Sequence, residues 1–201
     1  MFDVILLATT NRGKYREFSE ILTGVLARKL LFAPDAAPLD VEENGATYAS
    51  NAVLKARAWA AASGLPALAD DSGLEVEALG WRPGLFSARA AAGADSDRNR
   101  WLLSELYEKA ARRASFVADV ALAMPEWTLV CEGVCDGRIS EAEAGEGGFG
   151  YDPLFIPDGF NISFAELPME IKNKISHRAK AVKALLDSLD SLDSLGKWTA
   201  P

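Results

Sequence analysis

Apolar residues run without a break through "VILLAT" (Val4 to Thr9), the pattern of a strand buried on both faces. The next stretch, "TNRGKYREFSEILTGVL", sets Phe18, Ile21, Leu22 and Val25 at helical spacing, with Thr10 or Asn11 as the cap. "LLFAP" reads as a second strand. From Thr47 to Ser63 the chain turns alanine-rich, with Tyr48, Ala52, Ala56 and Trp59 on one helical face and Gly64 to end it. A short apolar segment then runs into Asp70 and Asp71, and a Gly/Pro-punctuated loop, "GWRPGLFSAR", follows. Residues 95–112 predict a helix carrying Trp101, Leu102, Leu103 and Leu106. "ASFVADVALAMPEWTLVCEGVCDGRISEAEA" alternates over long stretches, with Met124-Pro125 and Asp136-Gly137 as turns, and predicts a meander or hairpin pair. A glycine-rich loop, a short strand, an irregular segment and a last helix from Ser176 complete the pattern.

Helices and strands alternate first and antiparallel strands come later, so the pattern predicts an α/β protein with a mixed sheet. No linker interrupts it, and 201 residues suffice for one well-buried domain. The terminal "LDSLDSLDSLG" repeats leucine at 186, 189, 192 and 195. Three-residue spacing drifts by about 60° per step on an α-helix, which predicts loosening there and a loose end at "KWTAP". We therefore expect a domain over 1–187 and a loosely ordered tail over 188–201.

Composition narrows the class. Hydrophobic content of 49% with 25% charged residues is ordinary for a globular domain in water. No apolar run approaches the roughly 20 residues that span a bilayer, and the short apolar start reads as a strand rather than a leader. A net charge of -8 argues against wrapping nucleic acid. Two cysteines and one histidine make neither a disulfide scaffold nor a zinc site. Cys131 and Cys135 read as packing residues, and a reducing cytoplasm fits them.

Four segments can carry chemistry. In "LATTNRGK" (Leu7 to Lys14) a strand ends and a helix opens on small polar residues and a glycine. Free amides, the helix dipole and Lys14 favour a phosphate there, although an ordinary capped turn uses the same residues and the P-loop spacing is absent. Glu42, Glu43, Asp70 and Asp71 supply hard oxygen ligands suited to magnesium. Asn51 and Lys55, one helical turn apart, can face the same place, and two solvated acidic turns remain the alternative. "GEGGFGYDPLF" (Gly145 to Phe155) lets backbone approach a ligand closely and offers Phe149 and Tyr151 as stacking faces, or is simply a turn with a core Phe. In "EIKNKISHRAKAV" (Glu170 to Val182), Ser176 caps a helix that opens on His177 and Arg178, cations that oppose its dipole.

Taken together and in order, "ATTNRGKYREF", "NAVLKA", "LPALADDSGLEVEALGWRPGLFSAR", "GGFGYDPLF" and "KNKISHRAKA" resemble the inosine triphosphate pyrophosphatase family, and within it the bacterial dITP/XTP pyrophosphatases. The resemblance runs from about Val4 to Leu186. It implies an elongated mixed β-sheet flanked by helices, in two lobes with the active site in a central cleft. It also implies hydrolysis of dITP, ITP and XTP to monophosphate and pyrophosphate, a Mg2+ requirement, a homodimer, and cleansing of the nucleotide pool. Carried across, Thr9, Thr10, Asn11, Arg12, Gly13 and Lys14 would hold the triphosphate. Asp71 would be the catalytic carboxylate and a metal ligand, and Glu43 would share the metal, or Glu42 one register off. Ser72 would contact substrate. Phe149 would stack on the purine beside Gly150, Tyr151 and Asp152, and Lys172, His177 and Arg178 would hold base and phosphates. Two departures stand out: the family often has Gly where Thr10 is, and Glu where Ser50 is.

Overall fold

The computed structural model describes residues 2–36 and 39–195. Among them, seven strands form one sheet: β1 (Phe2–Leu7), β2 (Ala27–Phe32), β3 (Ala67–Val76), β4 (Arg82–Pro83), β5 (Arg113–Ala123), β6 (Thr128–Ile139) and β7 (Phe155–Pro157). The strand order is β2-β1-β3-β5-β6-β7, with β4 paired to β3. Helices α1 (Arg12–Leu22), α2 (Ala33–Ala36), α3 (Tyr48–Ser63), α4 (Asp95–Glu105), α5 (Met169–Ile175) and α6 (His177–Ser194) complete the set. Parallel β1–β2 and β1–β3 pairs beside antiparallel β3–β4 and β6–β7 pairs make the sheet mixed, as the pattern predicts. β5 and β6 are neighbours joined by only residues 124–127, too few for a crossover, so they form a hairpin.

The chain divides into two compact units. The first holds the described parts of Met1–Asp71, Ala118–Gly133 and Arg178–Pro201. Its central strands β1, β3 and β5 carry core side chains on both faces, and the two-residue period decides which side chain goes where. Ile5, Leu7, Leu68, Val120 and Leu122 point to one face, where they meet Phe18 and Leu22 of α1 and Ala181, Val182 and Leu185 of α6. Leu6, Ala8, Ala67, Ala69 and Ala121 point to the other, against Ala52, Ala56, Trp59 and Ala60 of α3. Burying a side chain such as Phe18 or Leu22 contributes about 1.5–3 kcal/mol, which holds α1 on its face. The second unit holds Ser72–Val117 and Val134–His177. Its core joins Leu74 and Val76, Leu102 and Leu106 of α4, Phe116, Cys135, Ile139, Phe155 and Phe164.

Several boundaries differ from the pattern, each for a local reason. α1 stops at Leu22 and Val25 is exposed in the turn to β2. The helix from 95 ends at Glu105 rather than 112, and Glu108 takes a φ of 61°, which no α-helix contains. Asp136 and Gly137 are not a turn. They lie inside β6, where Gly137 pairs with Pro157 and a Cβ on it would sit 2.3 Å from the Ile156 carbonyl oxygen. The segment before Ser176 forms α5, whose seven residues carry too short a period to read. α6 continues to Ser194 instead of loosening after Asp187, because Leu189 falls four residues after Leu185 and shares its buried stripe. Leu195 is exposed, and "KWTAP" lies outside the described residues.

Candidate active site

The pleat of β3 answers why two aspartates stand side by side in a buried strand. Asp70 has the parity of Leu68 and so projects toward α1 and α6, while Asp71 has that of Ala69 and projects toward α3. Each finds partners on its own face. Asp70, only 2% exposed, takes Lys14 Nζ at 2.9 Å and Arg178 Nε at 3.2 Å on Oδ2. Arg178 Nη1 also donates to Glu17 Oε2 at 3.1 Å, and both of those residues are buried. Burial alone would raise the Asp70 pKa, but Lys14, Arg178 and Lys55 outweigh it and hold the carboxyl well below the usual range. Burial draws the Lys14 ammonium downward, with Arg178 and Lys55 adding to the effect against the pull of Asp70.

On the α3 face, Asn51 falls in the buried stripe of the helix between Tyr48 and Ala56. Its Nδ2 donates to Asp71 Oδ2 at 2.9 Å and its Oδ1 accepts the Gly45 amide at 2.8 Å, tying the acidic 42–46 turn to β3. A Cβ on Gly45 would meet that Oδ1 at 2.6 Å, so glycine is required for the approach. Lys55, one turn further along α3, lies 2.9 Å from Glu43 Oε2 and 3.8 Å from Asp71 Oδ1. Two carboxylates thus converge on one ammonium, and Glu43 rather than Glu42 is the one brought there. Burial pushes the Asp71 carboxyl up; Lys55 and Asn51 pull against it and Glu43 adds to the rise. Asp119 of β5, buried and accepting from the Ala49 amide, is likewise pushed up by burial and by Glu132.

The two faces therefore differ in charge. Asp70 and Glu17 balance Lys14 and Arg178, whereas Glu43 and Asp71 both face the one ammonium of Lys55. The second set is the one short of positive charge. Among the described residues no three acidic, cysteine or histidine side chains converge as a ready-made metal cage. Glu43 and Asp71 instead offer the one or two carboxylates that magnesium takes when phosphates complete its shell.

At the start of α1, Asn11 is the N-cap: its Oδ1 accepts the Lys14 amide at 3.0 Å, and Thr9 Oγ1 accepts the Asn11 amide at 3.1 Å. Thr10, Asn11 and Arg12 are exposed and Gly13 is half-buried, and no acidic residue occupies the first turn. Ser50, where the resemblance leads one to expect Glu, completes a capping box with Thr47 at the start of α3.

The second unit gathers the other expected residues. Half-buried Phe149 donates its amide to Asp152 Oδ2 at 2.8 Å, and the same oxygen receives buried Lys172 Nζ at 2.6 Å. The Lys172 ammonium stands 5.2 Å from the Phe149 ring centroid, within cation–π range. Gly148, at φ 73°, permits this closeness, since a Cβ there would meet Asp152 Oδ2 at 2.1 Å. Tyr151 offers no face to a ligand: its ring is core and its hydroxyl donates to the Ser87 carbonyl at 2.9 Å, with burial pushing its pKa up to about 12. His177 stacks on Phe116 with centroids 4.7 Å apart and planes 10° from parallel. Ser72 is half-buried in β3.

Residue-type reasoning singled out Asn51 and Lys55 but missed Glu17. The available signal was its place on the inner side of α1, three residues after Lys14 and four before Ile21.

A family model described as Ham1 family matches residues 5–188. The dITP/XTP pyrophosphatase of Deinococcus deserti is 49% identical over 183 residues, covering 90% of this chain and 86% of that one. That of Thermus thermophilus is 48% identical, covering 92% and 90%. Among solved structures, a HAM1 protein from Coxiella burnetii superposes with a TM-score of 0.83 at 38% identity, over 94% of this chain and all of that one. The Staphylococcus aureus Ham1 protein gives a TM-score of 0.82 at 37% identity, over 94% and 99%. With its family model and its relatives matching along nine-tenths of its length, the chain belongs to the Ham1 family.

Proposed function

We propose that this chain hydrolyses non-standard purine nucleoside triphosphates (dITP, ITP and XTP) to the monophosphate and pyrophosphate, with Mg2+, and so cleanses the nucleotide pool. The observation that carries the reading is the split of Asp70 and Asp71, which leaves Asp71 and Glu43 as a cation-seeking pair beside Lys55. The names of its relatives, dITP/XTP pyrophosphatases, supply the substrate class.

In this reaction Asp71 orients a water for in-line attack on the α-phosphorus. The new bond is water oxygen to phosphorus, the bond broken is that from phosphorus to the α,β-bridging oxygen, and the water's proton passes to the Asp71 carboxylate. Magnesium, when held by Glu43 and Asp71, neutralises charge on the phosphate oxygens. Lys55, already between the two carboxylates, adds a point charge, and Asn51 keeps Asp71 in place. The opening of α1, from Thr9 to Lys14, presents hydroxyls, amides and the positive helix end to the phosphate tail. Gripping the whole tail suits release of pyrophosphate in one piece.

Phe149 is assigned as the stacking platform for the purine, with Lys172 and His177 as donors toward a 6-oxo group and Ser72 as a further contact. Adenine presents an amino donor at that position, and facing donors cost about 1–3 kcal/mol per unsatisfied group. Arg178 acts through the carboxylates it holds, Asp70 and Glu17. We assign the active form as a homodimer, on the family resemblance. We place it in a reducing cytoplasm, which suits two free cysteines, with no nucleic-acid partner at a net charge of -8. No helix among the described residues is long and apolar enough to cross a membrane.

The test is pyrophosphate release from ITP, XTP, dITP, GTP and ATP, with magnesium and with chelator. Magnesium-dependent release from the first three is expected; thermal stabilisation by ITP without release would refute the reading.

A further inference from the structure

One side of α4 grips the segment that carries Phe149. Asp95 and Asn99 are one turn apart and share a face of the helix. Asp95 Oδ2 accepts the amide of Gly150 at 2.6 Å, across 55 residues of sequence, and Asn99 Nδ2 donates to Glu143 Oε2 at 3.1 Å. The other oxygen of Asp95 takes the Arg98 guanidinium, which also donates to the Gly93 carbonyl at 3.0 Å. The carboxylate is thereby held on both oxygens. Its bond to Gly150 is charge-assisted, stronger than an ordinary amide contact.

Backbone bonds anchor the flanks of this segment, with the Gly147 amide on the Ala165 carbonyl at 3.0 Å and the Asp152 amide on the Phe149 carbonyl at 3.2 Å, and the Asp95 carboxylate adds a hold at Gly150 between them. Gly148 and Gly150 both lie at positive φ, at 73° and 64°, and glycine leaves those torsions free to turn. The Phe149 amide is fixed on Asp152, and the next amide along the chain is fixed on Asp95. Between these two points the Phe149 ring has its direction set.

We propose that Asp95 is a positioning residue for purine binding: by holding the Gly150 amide it sets the plane of the Phe149 ring. This rests on Phe149 being the base platform; Asp95 itself touches no substrate. Its loss weakens the hold on the base and leaves the phosphate end untouched.

The experiment uses the full chain and compares wild type with Asp95→Ala, Asp95→Asn and Asp97→Ala. Asp97 is a matched control at the same helix start: its Oδ2 accepts the Ala94 amide at 2.8 Å and it pairs with Arg100, away from the Phe149 segment. For ITP, Asp95→Ala should raise KM about tenfold, the loss of one charged hydrogen bond, with kcat within about twofold. Inhibition by pyrophosphate, which has no base, should not change. Asp95→Asn keeps an oxygen for the Gly150 amide and should restore most of the lost KM, and Asp97→Ala should match wild type. If Asp95→Ala does not fold, Asp95→Ser, a residue favoured at helix starts, carries the same expectation. An unmoved KM, or a rise matched by Asp97→Ala or by weaker pyrophosphate inhibition, overturns the proposal. A wild-type chain that releases no pyrophosphate from ITP overturns the proposed function instead.

Discussion

Replacing Asp70 by asparagine keeps the size of the side chain and removes only its charge. Its carboxylate is buried against Lys14 and Arg178 at 2.9 and 3.2 Å, and the substitution removes the charge that both cations face while Arg178 keeps its bond to Glu17. Breaking a buried pair by deleting one partner leaves an uncompensated ion, a cost of about 3 kcal/mol. For a chain of this length that lowers Tm by about 6–12 °C. The pH dependence has a definite sign. A carboxyl whose folded pKa is depressed stabilises the fold above its unfolded pKa of about 4 and loses that contribution as pH falls toward the folded value. The gap between wild type and Asp70→Asn should therefore be equal at pH 7 and 5 and should narrow at pH 3. Thermal melts at the three pH values decide it. A variant as stable as wild type at pH 7, or a gap that widens on acidification, would refute the reasoning.

The neighbouring substitution should behave in the opposite way. Asp71→Asn should abolish pyrophosphate release while Tm stays level or rises, because burial disfavours the ionised form it removes; near-normal turnover would sink the assignment. Gly148→Ala forces a left-handed torsion on a residue with a Cβ and drives that Cβ into Asp152, so it should cost about 1–3 kcal/mol in denaturant melts and raise KM for ITP. Wild-type values in both would remove Gly148 from the account.

Much of this was legible because period and parity are local. The unbroken apolar run of β1 reads directly as a strand covered on both faces, and Thr47 and Gly64 mark both ends of α3 to the residue. The same alternation that buries Leu68 and Ala69 on opposite faces assigns Asp70 and Asp71 to opposite faces. Asn51 and Lys55 were readable as facing this acidic set, but which partner goes to which aspartate was not. Lys14, Asn51, Lys55 and Arg178 come from three helices, and which helix covers which face is decided by packing across the whole chain. The apparent turn at Asp136-Gly137 failed for a similar reason: its composition matches a hairpin, but β7 pairs across it and uses the glycine for close approach. The grip of Asp95 on Gly150 joins residues 55 apart and leaves no local trace.

The first unit is built from three separate stretches, and the last of them brings Arg178 to carboxylates 108 and 161 residues earlier. During synthesis, Glu17 and Asp70 leave the ribosome long before the guanidinium that neutralises them. A chain cut short anywhere before residue 178 would have to bury both carboxylates without the guanidinium that pairs with each of them. Such fragments gain little by collapsing, and the finished chain folds only by closing its longest loop, which makes folding slow. The carboxylates of β3 and α1 thus tie completion of this unit to the arrival of the last helix.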